Sequence, residues 1–227
     1  GTEHQAPPAS TKRVGSRTFA LEYDLDDTGR WGVSKVELWG TRDGGKSWHS
    51  FTRDDDHRSP LVVTVDEEGV YGFRIVVDIA GSAATAPPSA GDEPELWVSV
   101  DLRRPVVELT AIERGDRNLA DHLIFRWKVA DENHEPRPLA LFYSSSPTGP
   151  WSAIATSLED TGEYAWRVER YVPARFYVRV EARDTAGNLA AFQTREPVNF
   201  APFDAGGHLR SAEPVGPTAS APDGAFR

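Results

Sequence analysis

The sequence predicts an all-β chain folded as two tandem antiparallel β-sandwiches. Three observations predict it. Apolar and polar residues alternate with a period of two in several short segments, TFALEYDL at 18–25 among them. A hairpin-like stretch, VELWGTRDGGKSWHSF at 36–51, returns in weakened form as LALFYSSSPTGPWSAI at 139–154, 103 residues later. No segment carries an amphipathic helical pattern of useful length. A repeat period near 100 residues marks duplication of a whole domain, since solenoid repeats run at about 20–50.

Residues 1–13 are polar and contain proline, and they read as a leader or linker. In TFALEYDL, Phe19, Leu21 and Tyr23 share one face of a strand. Asp26 to Gly32 is a turn region. Within the first hairpin Val36 and Leu38 point one way and Glu37 and Trp39 the other, with a tight turn at Asp43-Gly44-Gly45. Residues 52–60 form a charged loop, and LVVTV at 61–65 is a short strand. VYGFRIVVDIAG follows, with Tyr71, Phe73, Ile75 and Val77 inward. A proline-rich loop, 81–95, leads to a closing strand at 96–102. Arg103-Arg104-Pro105 is a short junction, so the two units are expected to form a stiff rod. The second unit repeats the order, with LIFRWKV at 123–129 and ARFYVRVEARDTAGN at 174–188. Phe176, Val178, Val180 and Ala182 point inward there. The expected division is therefore 1–13 leader or linker, 14–103 first sandwich, 104–200 second sandwich and 201–227 a disordered, proline- and glycine-rich C-terminal linker without strand pattern.

Composition bounds the function. The 227 residues suit two domains of about 100 residues each. A net charge of −10 without a basic stripe argues against nucleic-acid binding. No apolar run approaches the roughly 18 residues of a membrane-spanning helix. The chain has no Cys, which excludes disulfides and cysteine metal sites, and no Met, even at position 1. It is therefore expected to be a piece of a longer protein, with Gly1 left by processing.

The residues carrying these patterns resemble fibronectin type III and related immunoglobulin-like domains over about 14–200. Trp127 in LIFRWKV sits where that family places an early core tryptophan, with Tyr23 in its place in the first unit. FYVRVEARDTAGN looks like the family's penultimate strand and following loop. Tyr71 occupies the tyrosine-corner position, and the matching Phe176 lacks the hydroxyl. The resemblance implies fold and says little of activity, since this fold hosts many tasks. Tandem pairs of this kind also look like segments of large bacterial envelope proteins.

Thr41-x-Asp43-x-Gly45-x-Ser47-Trp48 is similar to the Asp-box hairpin of sialidase propellers. The physics of such a motif is structural: the Asp side chain accepts backbone N–H bonds, Gly supplies positive φ and Trp packs over the turn. Trp39 and its counterpart Phe142 lie opposite the inward face and are expected toward solvent, with Trp31 in a nearby loop. Exposed rings of this sort stack sugars, so a carbohydrate site would use Trp39, Trp48 and Phe142, with Asp43 or Glu37 bonding hydroxyls. Three acidic groups, Asp24/Asp26/Asp27, Asp54/Asp55/Asp56 and Asp184 with Asn188, lack the calcium-loop pattern and read as solvated charge. No nucleophile, zinc, phosphate-loop or dinucleotide motif is present. The six His are scattered.

The expected function is a non-catalytic spacer or adhesion segment of a larger bacterial surface or secreted protein, monomeric and without cofactor. It would sit in the extracellular space or cell envelope and contact neighbouring domains, other proteins or polysaccharide. Two alternatives stand beside it: a carbohydrate-binding module, and the accessory part of an enzyme whose catalytic domain lies elsewhere.

Overall fold

The structure, a computed structural model, describes residue 8, residues 10–25 and residues 32–200. Trp31, Asp26, Asp27 and the expected linker 201–227 lie outside the described residues.

The chain is all-β, and among the described residues one turn of 3₁₀ helix occurs, at Arg117–Leu119. Seven strands precede the junction: β1 (Lys12–Val14), β2 (Thr18–Leu21), β3 (Val33–Thr41), β4 (His49–Asp54), β5 (Leu61–Thr64), β6 (Gly69–Ile79) and β7 (Leu96–Val100). Eight follow: β8 (Val106–Arg114), β9 (His122–Ala130), β10 (His134–Ser144), β11 (Ser152–Leu158), β12 (Glu163–Arg167), β13 (Arg175–Asp184), β14 (Leu189–Gln193) and β15 (Val198–Asn199). The first sandwich packs the sheet β1-β7-β6-β3-β4 against the pair β2-β5. The second packs β11-β10-β13-β14 against β12-β9-β8. Among the described residues all strand pairings are antiparallel except β1 with β7.

That exception corrects the expected leader. Lys12–Val14 is a strand, although three residues are too few to show alternation; pairing with the edge of β7 supplies the hydrogen bonds that fix it. Two further expectations shift. β2 stops at Leu21, so Tyr23 lies beyond the strand and is half-buried. On β6, Ile75 and Val77 are half-buried while Val76, on the opposite face, is buried. Both faces of this strand are covered in part, because the 81–95 segment folds back on it. Thr85 donates to the Asp78 carboxylate (2.7 Å) and to the Val77 carbonyl (2.7 Å), and Pro94 packs on Gly72.

Two hydrophobic cores form, with no residue in common. In the first, Phe19 and Phe51 set their edges against Phe73, and Tyr71 stacks on Phe73 at 6.1 Å. Tyr71 closes the tyrosine corner, its hydroxyl donating to the Glu67 carbonyl at 2.8 Å. In the second core Phe176, Val178, Val180 and Ala182 are fully buried along one face of β13, matching the sequence expectation. Trp127 is buried, and its indole N–H reaches the Asp160 carboxylate at 2.8 Å.

Trp127→Ala should cost about 3–5 kcal/mol, the usual loss for truncating a large core aromatic. Tyr71→Phe should cost about 1 kcal/mol, the net worth of one neutral hydrogen bond. Urea unfolding of both variants measures these; a Trp127→Ala loss under about 1 kcal/mol would place that ring outside the core.

Candidate functional site

The first hairpin turn is organised by Asp43. Its Oδ1 accepts from the Ser47 backbone N–H (2.9 Å) and from the Thr41 hydroxyl (2.8 Å), and its Oδ2 accepts from the Ser47 hydroxyl (2.6 Å). Thr41 Oγ1 in turn accepts from Gly45 N–H at 3.0 Å. Gly45 has φ +86°, and a Cβ there would lie 2.3 Å from the Asp92 carbonyl, so only glycine fits. The turn docks on the 81–95 segment through Gly91 N–H donating to the Gly45 carbonyl at 2.8 Å. Hydrogen bonds from Ser47, side chain and backbone, pull the Asp43 carboxyl down to about 2. Both its oxygens are occupied within the turn, which is a structural use.

Glu37 lies on the outer face of the same sheet. The Ser50 hydroxyl donates to it at 2.7 Å and Lys35 pairs with it at 3.3 Å. Its carboxyl is held below the ordinary range, chiefly by Ser50, against the opposing effect of burial; Trp39 and Lys35 add to the lowering. Trp39 sits beside it, opposite Ser50 on β4 and Arg74 on β6, where the β3–β4 register shifts between Leu38 and Trp39. Alternation placed Trp39 on the outer face correctly, but the ring is half-buried rather than open, and its Nε1 is enclosed without a hydrogen bond of normal geometry. Trp48 is likewise half-buried with an enclosed Nε1.

The second hairpin substitutes weaker parts. Ser146 stands in for Asp43: its hydroxyl accepts from Thr148 N–H (3.3 Å) and pairs with the Thr148 hydroxyl (3.0 Å). Gln193 Nε2 donates to the Pro147 carbonyl at 2.7 Å and docks the turn. Trp151 lies 5.9 Å from the Arg179 guanidinium. Phe142 faces Arg179 across the sheet and is half-buried. The five residues singled out therefore form two groups, Glu37, Trp39, Asp43 and Trp48 on one sandwich and Phe142 on the other.

Two members of the acidic groups, Asp54 and Asp184, are not solvated charge, while Asp55 and Asp56 are exposed. Asp54 is buried and accepts from the Tyr23 hydroxyl. Burial opposes its charge, but Tyr23 and the Asp56 and His57 backbone outweigh it and lower its pKa. The Tyr23 phenol is pushed up, by burial first and then by Asp54. Asp184 is fully buried because it is satisfied. Its Oδ1 accepts from Ala186 N–H (2.9 Å) and Asn188 N–H (2.8 Å), and its Oδ2 from the Asn188 side-chain amide (2.8 Å). No group of three His, Cys, Asp or Glu among the described residues is placed to hold a metal ion.

Asp184 and Asn188 lie at the junction, which sequence reasoning missed. The Asn188 amide also donates to the Asp101 carbonyl (2.8 Å) and the Arg103 carbonyl (3.0 Å), both in the segment joining the sandwiches. Asp101, buried, accepts from the Asn133 amide at 2.5 Å and donates its N–H to the Val14 carbonyl at 3.0 Å. A Cβ on Gly15 would sit 2.4 Å from Asn188 Oδ1, so the first sandwich touches the second there directly. Glu68, beside the tyrosine corner, accepts the Leu102 N–H at 2.6 Å. The available signal was the pairing of D-T-A-G-N with a four-residue junction, Leu102 to Pro105.

No protein-family model matches the chain, and no curated protein matches it. Among solved structures, it is similar to the chicken CNTN1 FN1–FN3 domains, at 12% identity and TM-score 0.46, over 82% of this chain and 65% of that one. It is also similar to a tetra-tandem repeat from the extending region of a large adhesion protein, at 16% identity and TM-score 0.34, over 82% of this chain and 50% of that one. A third is the Endo-D glycoside hydrolase domain from Streptococcus pneumoniae R6, at 8% identity and TM-score 0.30, over 83% of this chain and 28% of that one. The chain spans less than two thirds of the length of each. No helix among the described residues is long and apolar enough to cross a membrane, a statement that leaves β-barrels aside.

Asp43, depressed in the folded state, should contribute stability that is full above the unfolded carboxylate value near 3.9 and is lost as pH falls toward about 2. Side-chain carboxyl NMR titration should give its midpoint near 2. Asp43→Asn should remove that part of the acid dependence; a midpoint near 4 would mean the turn bonds do not form in solution.

Proposed function

We propose that this chain is a non-catalytic structural and interaction module, a stiff two-sandwich spacer within a larger bacterial surface or secreted protein. The reading divides it at 14–103 and 104–200, with Lys12–Val14 belonging to the first unit. It places the chain outside the cell or in the envelope, as a monomer whose contacts are neighbouring domains, other proteins or polysaccharide. The supporting observation is the junction. A spacer needs a joint that transmits orientation, and here a buried carboxylate, Asp184, shares the Asn188 amide with the carbonyls of the joining segment. Surface ion pairs such as Arg103–Glu132 at 3.0 Å are exposed and contribute little, about 0–1 kcal/mol. The Asn188 bonds to the two carbonyls of the joining segment are neutral, about 0.5–1.5 kcal/mol each, and the Asn133 amide on the Asp101 carboxylate, a bond to a charged group, adds about 1.5–3 kcal/mol, so the two amides together tie the joint.

Carbohydrate binding through Trp39, Trp48, Asp43, Glu37 and Phe142 is the rival proposal. Half-buried rings and occupied carboxylates leave it less surface than the sequence suggested. Retention of the protein on insoluble polysaccharides or cell walls, lost in Trp39→Ala and Phe142→Ala, would establish it over the spacer reading.

Asn188→Ala leaves Asp184 short of a partner and frees two carbonyls of the joining segment. Calorimetry should show the two sandwiches unfolding in one transition in the unaltered chain and in two separated transitions in the variant. The variant should lose about 2 kcal/mol or more. One unchanged transition in the variant would remove the junction as the support for a stiff spacer.

A further inference from the structure

In the first sandwich residues 80–95 join β6 to β7, where 185–188 suffice to join β13 to β14 in the second. The longer connection lies back along β6 and over the first hairpin turn. We propose that this segment is a cover: it leaves the outer face of the first sandwich and returns as one unit while both cores stay folded, and its closed position encloses the Trp48 indole.

The edge of β6 is the first argument. β7 pairs with β6 only over Gly69 to Phe73, so Arg74 to Ile79 has β3 on one side and, among the described residues, no strand on the other. In the second sandwich β14 accompanies β13 as far as Arg183. The cover fills the gap on β6 with side chains instead of a ladder. The Ile75 N–H donates to the Glu95 carboxylate (3.3 Å), and the Val77 carbonyl accepts from the Thr85 hydroxyl (2.7 Å). The Thr85 N–H donates to Asp78 (2.7 Å), and Arg74 pairs with Glu95 (3.4 Å). All these contacts are exposed, so water can take the place of each partner.

Packing is the second argument. None of residues 80–95 is buried, and none of their apolar side chains belongs to the first core or packs on it. Residues 81–87 are exposed throughout. Segments with few apolar contacts and solvent-exposed hydrogen bonds open locally, without the rest of the fold. The hairpin turn supplies the third argument. The cover is fastened there by the Gly91 N–H on the Gly45 carbonyl at 2.8 Å. A Cβ on Gly45 would lie 2.3 Å from the Asp92 carbonyl oxygen and 3.8 Å from Trp48 Nε1, so cover, turn and indole meet at one point. Trp48 Nε1 is enclosed there without a hydrogen bond. An enclosed donor lacking an acceptor opposes the closed position, and water satisfies it on opening. The cover thus gives the first sandwich a closed and an open state, a device that the spacer reading neither requires nor supplies.

Hydrogen exchange followed by NMR on the whole labelled chain tests this. The amides of Thr85, Gly91 and Glu95 and the Trp48 indole N–H should share one protection factor, about a hundredfold or more below that of the most protected amides of β3 and β6. Gly91→Pro removes the donor to Gly45, and proline cannot take the φ of +98° found there. That variant should lower protection at Thr85, Glu95 and the Trp48 indole by about tenfold or more and leave the melting temperature unchanged. The proposal is overturned if the four protons exchange only together with the strand amides, or at unrelated rates. It is equally overturned if Gly91→Pro leaves their protection as it was, lowers the melting temperature or prevents folding.

Discussion

One primary amide carries the arrangement of this molecule. The Asn188 side chain has two protons and meets three acceptors: the Asp184 carboxylate and the carbonyls of Asp101 and Arg103. The first acceptor belongs to the second sandwich and the other two to the segment that leaves the first. Asp184 is fully buried, and a buried carboxylate without partners is strongly unfavourable. The need to satisfy it therefore holds the β13–β14 turn in shape. That turn in turn presents the amide to the joining segment.

The constraint spreads in both directions. Asp101 is clamped by the Asn133 amide and by the Val14 carbonyl, so the strand that pairs with β7 in parallel is itself part of the joint. On the other side the tyrosine corner fixes Glu67, and its neighbour Glu68 accepts the Leu102 N–H. A core residue of the first sandwich, Tyr71, is thus two hydrogen bonds away from the junction. In the second sandwich the corner hydroxyl is absent, since Phe176 stands at the start of β13; Asp184 ends the same strand, and it is this opposite end that faces the joint.

Much of the fold was legible. Period-two alternation located β3, β6, β9, β10 and β13, and the inward face of β13 matches residue for residue, because that strand is covered on one side only. It misjudged the inward face at the far end of β6, where a returning loop covers the outer side too. It missed β1, whose three residues depend on a partner from the other end of the domain. The turn chemistry of Asp43 was readable because all its partners lie within six residues in sequence. The burial of Asp54 was not, because it depends on Tyr23, 31 residues away; Asp184 finds its partners within four residues, and what the sequence hid is the reach of Asn188 to Asp101, 87 residues away. Trp39 and Phe142 were assigned to the correct face, yet alternation reports direction and not cover.

Residual dipolar couplings measured separately for the two sandwiches in one weakly aligned sample test the central claim most directly. If the Asn188 junction locks them, both sets of couplings fit a single alignment tensor of one magnitude and orientation. Two tensors of clearly different magnitude would mean that the sandwiches reorient independently, and that the hydrogen bonds at Asp101, Arg103 and Asp184 do not hold the joint.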